Sequence, residues 1–219
     1  LTKFRITLGR VYVASMQGGD EDPLELLSIA HTQVEQASKD LALFSSELAT
    51  VPEHIPLLEK VQAKDVEQQV GSLRRSLVKT QHLLGALPSI LGQEKKKTYL
   101  VLIQNPLELR SSGGFLESFA LVTVDKGRVL DIKIKDVIQA DNVLKGKIDP
   151  PADLKTQLGE SQWFFRDSNW STQFPLVAQQ AEWFIQKELG RSADGTIAIN
   201  AYTLQYFLRV VCPVTIAGQ

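Results

Sequence analysis

The sequence predicts an α/β protein: a mixed β-sheet domain with flanking helices, preceded by an N-terminal α-helical hairpin. Three observations carry that prediction. Residues 24–48 and 66–91 hold apolar side chains at alternating spacings of three and four. Tyr99 opens a near-continuous apolar run without helical period, short enough to be a buried strand. From there, strand-like and helix-like segments alternate toward the end of the chain. The 219 residues are 43% hydrophobic and 22% charged, enough for a sizeable core. A formal net charge of −1 argues against a nucleic-acid partner, which would call for a basic surface. The single cysteine, Cys212, excludes an internal disulfide framework, and His31, His54 and His82 lack metal-ligand spacing. No apolar run approaches the roughly 20 residues of a membrane helix. The chain opens at Leu1 without a methionine, so a missing upstream segment is expected.

Phe4, Leu8, Val11 and Ser15 stand at helical spacing, so residues 1–17 can join the hairpin as a third helix. Gln17-Gly18-Gly19 breaks the pattern, and Asp20, Glu21, Asp22 and Pro23 make a helix start, with acids in the first turn and an early proline. Leu27, Ala30, Val34, Ala37, Leu41, Phe44 and Leu48 then form one stripe, ended by Thr50 to Pro56. Val66, Val70, Leu73, Leu77, Leu84, Leu87 and Leu91 form the next, interrupted at Thr80. Two helices of roughly 35 to 40 Å with a short connection pack antiparallel. Such a hairpin either serves a protein partner or only buries its own stripe. Gly92 to Lys97 reads as a charged, exposed joint, dividing a helical region at 1–95 from an α/β domain at 98–219.

In that second region Tyr99 onward and Phe115 onward are apolar strands separated by Asn105-Pro106 and by Arg110-Ser111-Ser112-Gly113-Gly114. Asp125-Lys126-Gly127 reads as a three-residue hairpin loop with glycine in the left-handed position. The next strand alternates Leu130, Ile132 and Ile134 with Asp131, Lys133 and Lys135, one face buried and the other polar. Asp136 to Pro151 reads as a polar loop, Asp153 to Leu158 as a short helix, and Trp163-Phe164-Phe165 as an apolar run before another loop. Ser171 or Thr172 can cap a helix with Pro175 in its first turn, faced by Val177, Ala181, Phe184, Ile185 and Leu189 and stopped by Gly190. Gly195 to Ile199 reads as a strand, Ala201 to Val210 as a helix and Pro213 to Ala217 as a further strand.

Three groups of residues carry candidate chemistry. Arg110 offers a planar fork that matches phosphate, Ser111 and Ser112 add hydroxyls, and Gly113 and Gly114 let backbone N–H groups approach an anion. The alternative is a surface turn whose arginine pairs with a nearby acid. Arg166, Asp167 and Asn169, followed by Trp170, can bind an anionic or sugar-like ligand, or Asp167 turns the loop and pairs with Arg166. Asp136 and Asp141 follow a strand and can hold Mg²⁺ or accept a proton, or remain solvated loop acids. No nucleophile elbow is present.

The blocks NPLELRSSGGFLESFALVTVDKGRVLDIKIKDV, LKGKIDPP, WFFRDSNWSTQFP, AEWFIQKELGRSADGTIAIN and VVCPVTI, in that order, resemble the bacterial domain of unknown function 4012 from Thr98 to about Ile216. Members of that family usually start with a membrane helix and a helical segment and continue well past the equivalent of Gln219, so the resemblance implies a membrane-anchored fragment. The pattern is also distantly similar to the LytR–CpsA–Psr (LCP) cell-wall ligases, which implies an LCP-like domain. Those enzymes bind polyprenyl-pyrophosphate-linked glycopolymers and, with Mg²⁺, transfer the phosphoglycan to peptidoglycan. Their Arg-Ser-Asp would fall on Arg110-Ser111-Ser112 and their Pro-Arg-Asp on Lys135-Asp136, so Ser112 replaces a metal-binding aspartate. The resemblance implies an extracytoplasmic envelope protein that binds a lipid-linked pyrophosphate or phosphoglycan and acts as a phosphotransferase. On that reading Arg110 and Arg166 clamp phosphates and Asp136 holds Mg²⁺ or acts as base. The alternative, favoured by Ser112, is a non-enzymatic scaffold of the cell envelope.

Overall fold

The computed structural model describes residues 2–50, 63–203, 205 and 206. It is a mixed α/β protein with an N-terminal helical region, divided into two compact units: Leu1–Lys96 with Val124–Val129, and Lys97–Thr123 with Leu130–Gln219. Among the described residues no helix is long and apolar enough to cross a membrane.

The helical unit contains α1 (Thr2–Gln17), α2 (Pro23–Leu48) and α3 (Ala63–Ile90). The start of α2 follows from the sequence as expected. The Asp22 side chain accepts from Leu24 N at 2.8 Å, and Pro23 occupies the first turn, where its missing N–H costs nothing. Val11 and Ala14 of α1 pack with Leu26, Leu27, Ala30 and Val34 of α2 and Leu84 of α3. Each fully buried aliphatic side chain of this kind contributes about 1.5–3 kcal/mol. The predicted stripe holds only in part. Ala37 and Phe44 are exposed, because beyond Val34 the half-buried positions of α2 are Glu35, Ser38, Leu41, Ser45 and Leu48, and Leu73 of α3 is exposed as well. Most of the predicted break at Thr50 to Pro56 lies outside the described residues. Gly92, expected in an exposed joint, is buried with φ +77°, and a Cβ there would meet the Lys95 and Val124 carbonyl oxygens at 3.0 Å.

The α/β unit is built on a four-stranded sheet in the order β3-β2-β1-β4, from β1 (Lys97–Asn105), β2 (Phe115–Asp125), β3 (Arg128–Asp136) and β4 (Gly195–Asn200). β1 and β4 are parallel, with Val101 opposite Ile197. The β2–β3 turn is tighter than expected: Lys126 and Gly127 are its two central residues, with φ +47° and +79°. Two positive φ values give the turn whose twist matches flanking strands. The connection from β1 to β4 contains α4 (Val137–Asp141), α5 (Ala152–Leu158), a 3₁₀ turn (Phe165–Asp167) and α6 (Phe174–Leu189). Helix α4 lies where a polar loop was expected. Asp136 caps it, accepting from Ile138 N at 2.7 Å and Gln139 N at 3.3 Å, and Val137, Ala140 and Asp141 are buried. Neither Ser171 nor Thr172 caps α6: the cap position is Gln173, whose N–H donates to Ser171 Oγ at 3.1 Å. Gly190 does end it, with φ +61°.

Leu100, Leu102 and Phe119 of the sheet pack with Val137, Phe165 and Phe184 in one core. On β3 the expected burial fails. Leu130, Ile132 and Ile134 are exposed, because β3 is an edge strand. Residues 201–203, 205 and 206 are helical, and the rest of the predicted helix, the strand at Pro213 to Ala217 and Cys212 lie outside the described residues.

Candidate functional site

Two loops meet at the end of the sheet. The first, between β1 and β2, needs Gly114: its φ is +130°, and a Cβ would lie 2.2 Å from the Asn105 carbonyl oxygen. That close approach folds the loop back on the strand it leaves. The Gly113 N–H donates to the Arg110 carbonyl at 3.3 Å and the Phe115 N–H to the Glu108 carbonyl at 2.9 Å, so both are engaged within the loop. The second segment begins in the 3₁₀ turn and presents Arg166 to Trp170.

Hydrogen bonds staple the two across 55 and 57 residues of chain. Ser112 Oγ donates to the Asn169 carbonyl at 2.9 Å, and Asn169 Nδ2 donates to the Gly114 carbonyl at 2.6 Å. Gln104 Nε2, on buried β1, reaches Ser112 Oγ at 3.4 Å. Ser111 is exposed. Arg110 Nη2 lies 3.5 Å from Asp167 Oδ1 and 3.4 Å from Glu108 Oε1, with the guanidinium over the rings of Phe115 at 5.3 Å and Trp170 at 5.8 Å. Arg166 Nη1 donates to Asp141 Oδ2 at 3.0 Å, its Nε lies 3.8 Å from Asp167 Oδ2, and its guanidinium covers the Phe164 ring at 4.0 Å. The two arginines therefore share Asp167. Their side chains are 12% and 27% exposed, against 4% for Asp167 and 1% for Asp141, so the cations rim a buried carboxylate pair.

Burial dominates the electrostatics of those acids. Asp141 is pushed up to about 6 by desolvation, against the opposing bonds from Phe165 N (2.8 Å) and Arg166. Burial also raises Asp167, against the opposing charges of Arg110 and Arg166. Asp136 stands apart in role: it is exposed, and its Oδ1 is the cap of α4. Asp136 and Asp141 thus serve different bonds, and among the described residues no group of three or more His, Cys, Asp or Glu is placed to hold a metal ion.

Sequence reasoning missed Glu188. Both its carboxylate oxygens are buried without a hydrogen-bond partner, and burial, with the nearby charge of Asp141, raises it to about 8. The signal was present: Glu188 follows Phe184 by four and Ile185 by three, placing an acid on the apolar face of α6. Buried polar atoms without partners concentrate at the stapled loops as well: Arg110 Nε, Asp167 Oδ2, Ser168 Oγ and Asn169 Oδ1. Native interiors satisfy such atoms, so a cluster of exceptions marks a place where water or a ligand group completes the bonding. Two clefts lie elsewhere, one of about 300 Å³ beside Leu27, His31 and Leu84 and one of about 290 Å³ beside Thr123, Lys133 and Arg191.

The family profile of DUF4012, a protein of unknown function, matches residues 94–219, which contain this whole arrangement. The chain belongs to the DUF4012 family. No curated protein and no solved structure matches the chain. Within the DUF4012 region, the Arg-Ser-Ser-Gly-Gly and Arg-Asp-Ser-Asn-Trp segments are the two that the fold brings together.

Proposed function

We propose that the DUF4012 domain binds a phosphate-bearing ligand of the cell envelope, a lipid-linked pyrophosphate or phosphoglycan, at the seam between Arg110 and Arg166. On this reading the whole protein works outside the cytoplasm, anchored by a segment preceding the helical unit. One observation carries the reading: two arginines from loops far apart in sequence converge on a single carboxylate, beside four buried polar atoms that lack partners. The contacts of Arg110, at 3.4 and 3.5 Å, lie at the outer limit of hydrogen bonding, so a better acceptor can displace them. A pyrophosphate is such an acceptor, and the arginine fork suits it. The proposal takes no resident magnesium ion. Asp136 is spent on a helix cap and Asp141 on Arg166 and Phe165, so this donor set does not fit one.

A second reading, of a different class, is a non-enzymatic scaffold in which the arginine–carboxylate network only braces the two loops. The near-complete burial of Asp141 and Asp167 favours it. Isothermal titration with geranyl pyrophosphate separates the two. Binding by the wild-type protein that weakens on the order of tenfold in Arg110→Lys, with the melting transition nearly unchanged, supports the ligand site. Equal affinity in both, or none in either, leaves the scaffold.

A further inference from the structure

Helix α1 carries two apolar seams back to back. The inner one, Phe4, Thr7, Val11 and Ala14, runs at spacings of three, four and three and faces the core of the helical unit. The outer one is Ile6, Gly9, Val13 and Met16, with the same spacings on the opposite side of the helix. Tyr12 and Leu8 flank it. Nothing among the described residues covers this second seam: Ile6 is 60% exposed and Val13 45%. A helix apolar on both sides ordinarily has a partner on both sides.

We infer that the outer seam of α1 packs against the same seam of a second copy of this chain, in an antiparallel two-fold contact. The pattern is its own complement. Pairing each residue with the one whose number makes a sum of 22 maps Ile6 onto Met16 and Gly9 onto Val13, large against small at the centre. A Cβ built at Gly9 meets nothing within 4 Å, so the gap is open to the incoming valine. Close approach at a glycine, with a larger side chain seated in the hole, is how two helices interlock.

Charge decides the orientation. α1 carries Lys3, Arg5 and Arg10 and no acid, while the turn after it carries Asp20, Glu21 and Asp22. Arg10 is already paired with Glu21. An antiparallel contact brings Lys3 and Arg5 of one copy toward Asp20 and Asp22 of the other. A parallel contact would stack like charges. A bilayer surface would meet the cations at one end of the helix and be repelled by the acids at the other, so a second copy fits better. One helix face buries less than a standard interface, so the expected state is a concentration-dependent equilibrium between monomer and dimer.

Sedimentation equilibrium of the 219-residue chain tests this independently of the ligand site. The wild type should associate reversibly, and Gly9→Gln, which fills the hole, should weaken association at least tenfold. Its thermal transition should be retained, because the position is open. The geometry is read by oxidative cross-linking in a Cys212→Ser background. Mixed Gly9→Cys and Val13→Cys preparations should cross-link faster than either alone. A wild type that stays monomeric, or Gly9→Cys linking fastest to itself, overturns the inference. So does recovery of monomers on anionic phosphatidylglycerol vesicles in flotation, which would assign the seam to lipid.

Discussion

Replacing Glu188 by glutamine should stabilise this protein above neutral pH. The side chain sits on the core-facing stripe of α6 with both oxygens buried and unpartnered, and its pKa stands at about 8 rather than 4.5. An acid whose folded-state pKa is raised keeps its proton longer in the folded state than in the unfolded one. Stability is then greatest below about 4.5, declines as pH rises, and has lost the whole contribution above about 8. The full displacement corresponds to roughly 5 kcal/mol, and solvent screening at this half-buried position reduces it to about 2–3 kcal/mol. A buried amide without partners costs about 1 kcal/mol in return. Urea unfolding from pH 5 to 9 should therefore show a wild type that weakens with pH and a Glu188→Gln variant with a flatter profile. The variant should lead by about 1–2 kcal/mol at pH 9 and trail slightly at pH 5. If Glu188→Gln is the less stable protein at pH 9, the carboxyl has a partner and the reasoning fails.

Arg110→Ala removes a charge-assisted pair and two cation–π contacts, so thermal or urea melts should show a loss of about 2–3 kcal/mol, the low end of their sum because the contacts are long. Gly114→Ala forces a Cβ against the Asn105 carbonyl at a φ of +130°, and a cost of about 3–5 kcal/mol should appear in the same melts. Asn169→Ala strands the Gly114 carbonyl in a buried site, and amide exchange should show the β1–β2 loop opening with a stability loss of about 1–3 kcal/mol.

The parts of this architecture that were legible in the sequence rest on strong local signals. Asp22-Pro23 starts a helix, Gly190 ends one, and the apolar segments opening at Tyr99 and Phe115 become β1 and β2. What escaped depends on neighbours distant in the chain. Helix α4 is only five residues long, too short for periodicity to register, and is held by the Asp136 cap and the burial of Val137 and Ala140. The isoleucines of β3 alternate as a buried face would, yet their strand lies at the sheet edge, a matter of topology and not of pattern. Among the site residues, Arg110 and Arg166 could each be singled out by type and loop context. That both would contact Asp167 follows only from the packing of loops 57 residues apart.

The two arginines, similar in sequence context, are unequal in the folded protein. Arg166 makes a 3.0 Å bond to Asp141, and Asp141 is fixed in turn by the Phe165 N–H at 2.8 Å. Breaking that arrangement would leave an acid that is almost wholly buried without its counter-charge, a cost of about 3–5 kcal/mol. Arg110 is held by two long contacts and two aromatic faces, and its Nε has no partner. An incoming phosphate would have to compete with Glu108, Asp141, Asp167 and Glu188, and at neutral pH Glu188 is largely uncharged while Asp141 is ionised but tied to Arg166. The acids left to displace are Glu108 and Asp167, through their long bonds to Arg110. Burial raises the Asp167 carboxyl and the charges of Arg110 and Arg166 oppose that shift, so Arg110 is one of two cations that this acid relies on. The two guanidiniums therefore divide the work. Arg166 is the fixed brace of the loop, and on the proposed reading Arg110 is the arm that exchanges a carboxylate for a phosphate.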